Sequence, residues 1–245
     1  MNKMLFDHSN KNQIKGVFFD LYGTLLIFHD YDSANREWIN CYYELIGKPY
    51  NISFDQIELL CEKIISKDVP KNNEHQLTTY ESKIKWFLEE IGLILPIGKL
   101  KELANVTIQK WQEQIELDKE SIATIENLKK KYTVGLITNF DHTPHIYKVL
   151  MSTNLKSLFD FVIVSDEVNC KKPDLKIFEL GLSKCGLRPD EVVYIGDNPE
   201  DDIEGALTAG LSAILIDRGK KTNSAPAKEK NALKINSLTE LTKIL

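Results

Sequence analysis

Arginine is the scarcest charged residue in this chain of 245 residues, present only at Arg36, Arg188 and Arg218. Recognition of nucleic-acid phosphates and base edges relies on bidentate arginine contacts and on a basic surface. Here acidic residues outnumber basic ones, and the formal net charge is -5. We therefore expect no nucleic-acid partner.

Long apolar runs are also absent. No stretch approaches the roughly 20 apolar residues of a membrane span, and residues 1–15 are polar where a signal peptide needs an apolar core. We therefore predict a cytoplasmic protein without membrane association. The four cysteines contain no C-x-x-C pair and the five histidines no H-E-x-x-H motif, so a zinc site is not expected.

What the chain does contain is one informative stretch near its N-terminus, residues 17–26. Three apolar residues run directly into Asp20, which is typical of a buried parallel strand that ends at an acid. Gly23 then permits a sharp turn of the backbone. Ligands bind at the carboxyl edge of open α/β sheets, so Asp20 is a candidate site residue, although an acid after a strand is more often a simple turn residue.

After this strand the spacing of apolar residues becomes helical and stays so for about ninety residues. Ser33 is predicted to cap the first of these helices, and capping-box patterns predict two further helix starts at Ser53 and Thr78. We assign residues 29–118 to an inserted all-α cap domain.

The remaining residues, 1–28 and 119–245, are predicted to form an α/β catalytic core. Beyond residue 119, short apolar strands alternate with helices, including one opened by Pro173, as expected of right-handed βαβ crossovers. The polar segment 220–231 is predicted to be mobile. The predicted fold class is therefore α/β: a doubly wound, mainly parallel, Rossmann-like sheet core with an inserted all-α cap domain.

Polar residues follow the strands that can reach one edge of this sheet. They are Asp20, Thr138, Asn139, Lys172, Asp197 and Asp202. Two acids can hold Mg2+ together with waters and phosphate oxygens, while a lysine and a threonine can bind the remaining phosphoryl oxygens. The pattern indicates phosphoryl transfer. Taken singly, Thr138 also suits a helix cap, Lys172 a surface position and Asp202 a helix N-terminus.

Four motifs carry these residues in the order of the chain. They are Asp20-Leu21-Tyr22-Gly23-Thr24, Thr138-Asn139, Lys172-Pro173 and Gly196-Asp197-Asn198-Pro199-Glu200-Asp201-Asp202. Together they resemble the motifs of haloacid dehalogenase (HAD) superfamily hydrolases with a helical (type C1) cap inserted after the first strand. The run Thr138-Asn139-Phe140-Asp141 further resembles the REG-2-like branch of that superfamily. The cap matches only in position and helical character.

The resemblance implies a Mg2+-dependent phosphatase that acts on a small phosphorylated metabolite. Asp20 would attack phosphorus and form an aspartyl-phosphate, which water then cleaves. The resemblance implies that Asp20, Asp197 and the Tyr22 carbonyl bind the metal, and that Asp202 supports the site from outside the metal's ligand shell. Lys172, Thr138 and the Asn139 backbone N–H would bind the transferring group, and Lys172 is also assigned as catalytic.

One position departs from the phosphatase pattern. Phosphatases of this family usually carry a second aspartate two residues after the nucleophile, where this chain has Tyr22. That aspartate protonates the leaving group and later activates water. A phenol with an ordinary pKa of about 10 is a poor general base near neutral pH. Tyrosine there instead resembles the 2-haloacid dehalogenases, which release halide. Two alternatives therefore stay open: a 2-haloacid dehalogenase-type hydrolase, and a weakly catalytic protein that binds a phosphorylated ligand.

Overall fold

The computed structural model describes residues 14–69, 71, 76–218 and 232–245, and in it the chain divides into two compact units. Unit 1 comprises Met1–Ile27, Leu117–Phe140 and Tyr147–Leu245, and unit 2 comprises Phe28–Glu116 and Asp141–Ile146. The domain boundaries set out above remain a prediction. The segment predicted to be mobile, 220–231, lies outside the described residues, as does most of the N-terminal stretch 1–15.

The described strands and helices follow one another closely along the chain. In chain order the strands are β1 (Gly16–Phe19), β2 (Leu26–Phe28), β3 (Ile115–Leu117), β4 (Thr133–Thr138), β5 (Phe161–Val164), β6 (Val192–Gly196), β7 (Ser212–Ile216) and β8 (Leu233–Ile235). The α-helices are α1 (Tyr31–Tyr42), α2 (Phe54–Ser66), α3 (Thr79–Glu90), α4 (Ile97–Gln112), α5 (Ser121–Lys129), α6 (Thr143–Ser152), α7 (Ser165–Val168), α8 (Leu175–Cys185), α9 (Gly205–Thr208) and α10 (Leu241–Ile244).

Unit 1 is built on a six-stranded sheet in the order β5-β4-β1-β6-β7-β8, with every neighbouring pair parallel. Counted along the chain, these six strands have the order 3-2-1-4-5-6, which is that of a doubly wound sheet. The predicted α/β fold class is confirmed. A pairing of β2 with β3 forms a second, two-stranded sheet that the sequence did not predict.

Strand β1 lies in the middle of the larger sheet, between β4 and β6. All four of its residues are buried, as expected for a parallel strand covered on both faces. The Phe18 ring packs edge-on against Phe161 with the ring centroids 5.0 Å apart, an arrangement that aromatic quadrupoles favour. The strand is thus fixed by the core, and whatever follows Phe19 emerges at a defined place on the sheet edge.

Two helix starts in this unit differ from the predictions. Pro173 does not open a helix, because α8 begins at Leu175 and its N-cap is Asp174, whose carboxylate accepts a hydrogen bond from the Lys176 N–H. The segment predicted as a short helix after β6 begins instead as a π-helical turn, Pro199–Glu204, before α9. None of the described helices is both long and apolar enough to cross a membrane.

Unit 2 contains α1 to α4, with α1 packed on α2 and α4, and α3 packed on the same two helices. The capping boxes predicted at Ser53 and Thr78 are confirmed. The cap of α1 was predicted wrongly: Asp30 accepts hydrogen bonds from the backbone at its start, and the Ser33 hydroxyl donates to Asp30. An ionised aspartate accepts several such bonds at once, which a single serine hydroxyl does less well.

A short segment after β4, Asp141–Ile146, clusters with the helices of unit 2 and not with the sheet. The Tyr80 N–H donates to the Asp141 carbonyl at 2.8 Å, and the buried Lys83 ammonium pairs with the Asp141 carboxylate at 2.7 Å. Sequence reasoning missed this association because it depends on contacts between residues far apart along the chain.

Candidate active site

The candidate site lies at the carboxyl ends of three neighbouring strands. Asp20 directly follows β1, Asn139 directly follows β4 and Asp197 directly follows β6. The Asp20 N–H donates to the Ile195 carbonyl at 2.9 Å, which continues the β1–β6 pairing by one residue. The side chains predicted from separate motifs therefore converge on one edge, as the parallel topology requires.

The Lys172 ammonium is the centre of this cluster. It is almost fully buried and donates to Asp20 Oδ1 at 2.6 Å, to Asp202 Oδ1 at 2.6 Å and to the Tyr194 hydroxyl at 2.8 Å. Burial alone would lower the pKa of this amine, but the Asp20 and Asp202 carboxylates outweigh it and raise the pKa well above its ordinary value. Lys172 is thus a permanent buried cation and not the surface lysine that the sequence left open.

Two side chains hold Lys172 in place. The Asn139 amide accepts the Lys172 backbone N–H at 2.8 Å and donates to the Lys172 carbonyl at 2.9 Å, so it fixes the backbone of that residue. The Tyr194 hydroxyl accepts a hydrogen bond from the ammonium and donates one to the Ile137 carbonyl at 2.9 Å. Sequence reasoning missed Tyr194. The available signal was a tyrosine inside a buried strand, because a buried phenol needs a hydrogen-bond partner.

Asp202 is fully buried and uses both carboxylate oxygens. One accepts from Lys172, as above, and the other accepts from the Asn198 backbone N–H at 3.0 Å. Gly196 makes room for this carboxylate, because a Cβ at that position would lie 2.3 Å from Asp202 side-chain atoms. Asp202 thus contacts the Lys172 ammonium directly, and its supporting role in the site remains a prediction.

Three carboxylates crowd together beside Lys172. One oxygen each of Asp20, Asp197 and Asp202 lies within 4.8 Å of the other two. Burial, opposed by Lys172 and reinforced by Asp202, raises the pKa of Asp20 to about 6. Burial and the nearby charge of Asp20 raise the pKa of Asp197 to about 8. Neighbouring carboxylates that are buried together resist ionisation, and the single Lys172 cation does not neutralise all three of them.

That shortage of positive charge fits a divalent cation. Mg2+ binds few protein carboxylates and keeps several waters or phosphate oxygens, which the trio of acids permits. Gly23 belongs to the same arrangement: it has a φ of +88°, and a Cβ there would lie 2.1 Å from Asp197 Oδ2. Only glycine allows the turn after Asp20 to approach the Asp197 carboxylate so closely.

Thr138 and Tyr22 are two further predicted site residues. Thr138 is the last residue of β4 and is buried. Tyr22 lies in the turn after Asp20, and its ring stacks on Phe140 with centroids 5.3 Å apart. Burial and the Asp20 carboxylate raise the pKa of the Tyr22 phenol far above its ordinary value. This phenol is therefore an even poorer proton carrier near neutral pH than an exposed tyrosine.

The chain is similar to a family of hydrolases and to several individual proteins. The haloacid dehalogenase-like hydrolase family matches residues 14–210. A glyceraldehyde 3-phosphate phosphatase of Methanothermobacter thermautotrophicus is 33% identical over 94% of this chain and 98% of its own length. The rhythmically expressed gene 2 protein of Drosophila melanogaster is 33% identical over 52% of each chain, consistent with the predicted REG-2-like branch. A HAD phosphatase from Thermococcus onnurineus superposes with a TM-score of 0.66 at 26% identity, covering 94% of this chain and 97% of that one.

Proposed function

The chain belongs to the haloacid dehalogenase-like hydrolase family, and on that basis we propose that it is a Mg2+-dependent phosphatase of a small phosphorylated metabolite. The observation that carries the proposal is the buried Asp20–Lys172–Asp202 arrangement with Asp197 beside it, at the carboxyl edge of the central strands. The phosphatase names of related proteins support the same reaction class.

Asp20 is the proposed nucleophile. With a pKa of about 6 it is mainly ionised at pH 7, the form that can attack phosphorus. Attack forms an acyl phosphate on Asp20 and expels the alcohol, and a water molecule then cleaves the acyl phosphate to regenerate the carboxylate and release phosphate. Lys172 holds the carboxylate in one orientation and supplies positive charge close to the reacting oxygens.

Asp20, Asp197 and the Tyr22 carbonyl are the proposed ligands of Mg2+, which when bound neutralises charge on the phosphoryl oxygens. Thr138 and the Asn139 N–H are the proposed partners of the transferring group. The Asn139 side chain has a separate task, since both of its polar ends bind the Lys172 backbone. Substitution of the Asn139 side chain should therefore lower activity by displacing Lys172.

Tyr22 shapes the expected substrate range. Without a carboxylic acid at this position, the leaving alcohol receives no proton from the usual donor. The enzyme should then favour phosphates with good leaving groups. The same residue favours a second candidate, a 2-haloacid dehalogenase-type reaction, because halide departs without a proton. Against it stands the acid cluster, which suits a dication better than a halide ion.

A substrate panel tests the proposal. Purified protein is assayed for phosphate release with and without Mg2+ on small phosphorylated metabolites, including glyceraldehyde 3-phosphate, and for chloride release from 2-chloropropionate. The expected result is Mg2+-dependent phosphate release that Asp20→Asn abolishes without a change in thermal unfolding. Chloride release independent of metal would support the dehalogenase reaction. Binding of phosphorylated compounds without turnover of any of them would indicate a ligand-binding protein.

A further inference from the structure

The turn that follows Asp20 is held from outside by residues of two distant segments. Its three successive carbonyls, those of Gly23, Thr24 and Leu25, all accept hydrogen bonds. Arg218, two residues after β7, donates from Nη2 to the Thr24 carbonyl at 2.8 Å and from Nε to the Gly23 carbonyl at 3.4 Å. Three successive carbonyls of the turn are therefore fixed by donors from other parts of the chain.

The second segment lies where the chain re-enters the α/β unit after the helices. The Asp118 N–H and the Ser121 hydroxyl both donate to the Leu25 carbonyl, each at 3.0 Å. Asp118 is also ion-paired with Arg218 Nη2, and its carboxylate is 5% exposed while the Arg218 side chain is 21% exposed. Arg218 and Asp118 thus form one shielded unit, which we call the Arg218–Asp118 clamp.

The clamp acts on groups that the proposed reaction needs. The Gly23 N–H donates to the Leu26 carbonyl at 2.6 Å. Because the N–H and C=O of a trans peptide point in opposite directions, this bond sets the direction of the Tyr22 carbonyl. Gly23 also lies against the Asp197 carboxylate. A shift of the turn would move both groups.

We propose that Arg218 is a positioning residue for the active site, acting with Asp118 to fix the turn that carries the Tyr22 carbonyl and borders Asp197. The inference rests on the proposed function. Neither residue is among those proposed to bind the metal or the phosphoryl group. The arginine is needed for its fork of donors, because two carbonyls and a carboxylate accept from two of its nitrogens. A lysine keeps the charge opposite Asp118 and loses that geometry.

The test compares Arg218→Lys and Asp118→Asn with the unchanged protein. Arg188→Lys is the matched control, since the Arg188 side chain is 66% exposed and its guanidinium pairs with the exposed Asp190 and the buried Glu191, neither of which belongs to the proposed site. Mg2+ affinity is measured by calorimetry, kcat and KM on the best substrate of the panel, and unfolding by thermal melts. We expect the Arg218→Lys variant to lose roughly ten- to a hundredfold in kcat and several-fold in Mg2+ affinity with little change in KM.

A double variant tests the partnership. If both residues act through the same turn, combining Arg218→Lys with Asp118→Asn should cost less than the product of the two single losses. Unchanged kcat and Mg2+ affinity in the Arg218→Lys variant would overturn the proposal, as would losses explained wholly by a smaller folded fraction. Failure of the unchanged protein to bind Mg2+ or to release phosphate would instead overturn the proposed function, so the two failures are distinguishable.

Discussion

Binding of Mg2+ should release a proton from Asp197. In the metal-free protein, burial and the neighbouring Asp20 charge raise the pKa of Asp197 to about 8. A carboxyl group with that pKa is about nine-tenths protonated at pH 7 and about one-tenth protonated at pH 9. A ligating carboxylate must be ionised, so the proton has to leave when the ion binds.

The expected magnitude follows from the pKa values of the two acids. Asp20, with a pKa of about 6, adds about one-tenth of a proton at pH 7. The sum is about one proton released per ion at pH 7 and roughly one-tenth at pH 9. Because the pKa values of both acids are raised, protons compete with Mg2+ and its affinity is weakest at low pH. The affinity should rise by about tenfold between pH 7 and pH 9 and level off above the pKa of Asp197.

Calorimetry in buffers of different ionisation enthalpy counts the released protons directly. Asp197→Asn should remove most of the release and weaken binding, whereas Asp190→Asn, at a carboxylate that is 59% exposed, should leave both unchanged. A proton count near zero at pH 7 with intact binding would refute the reasoning. It would show that Asp197 is already ionised without metal and that burial and repulsion by Asp20 do not control it.

Three further predictions concern single residues. Tyr22→Asp should accelerate hydrolysis of an alkyl phosphate more than that of an aryl phosphate of similar size, by up to about 10²-fold, because only the alkyl leaving group needs a proton; equal losses on both would give Tyr22 a positive role of its own. Gly23→Ala should destabilise the fold by about 1–2 kcal/mol and weaken Mg2+ binding, because the added methyl group would press on Asp197. Denaturant melts and calorimetry measure the two effects. As a control, Gly98→Ala adds a methyl group in open space in α4 and should stabilise the fold by about 0.5–1 kcal/mol. Thr78→Ala should lower the free energy of unfolding by about 1 kcal/mol through loss of the α3 cap, and an unchanged midpoint would contradict that role.

Much of the fold was readable from local sequence signals. The continuous apolar run before Asp20 predicted a central strand, and the strand indeed lies between β4 and β6. The serine and threonine at positions 53 and 78 predicted their helix starts because a capping box involves only four consecutive residues. The cap predicted at Ser33 was wrong because Asp30, a stronger acceptor three residues earlier, takes the capping position.

The sequence predicted that the acids and Lys172 meet at one edge of the sheet, as they do, and told less about their contacts, while their roles remain predictions. The order of motifs identified the acids and Lys172, since strand ends of a parallel sheet share one edge. Tyr194 and Arg218 were missed because their significance arises from partners far away in sequence, the Lys172 ammonium and the carbonyls after Asp20. No pattern in the chain links Arg218 to Asp118, one hundred positions apart, before the fold brings them together.

The central claim, that Asp20 becomes phosphorylated during turnover, is tested most directly by trapping. A phosphorylated substrate is mixed with the protein and Mg2+, the reaction is stopped within the first turnover, and borohydride is added to reduce any acyl phosphate. Peptide mass spectrometry then locates the reduced residue. We predict homoserine at position 20 in the unchanged protein and none in the Asp20→Asn variant. Steady phosphate release with an unmodified Asp20, or reduction at another carboxylate such as Asp197, would contradict the account.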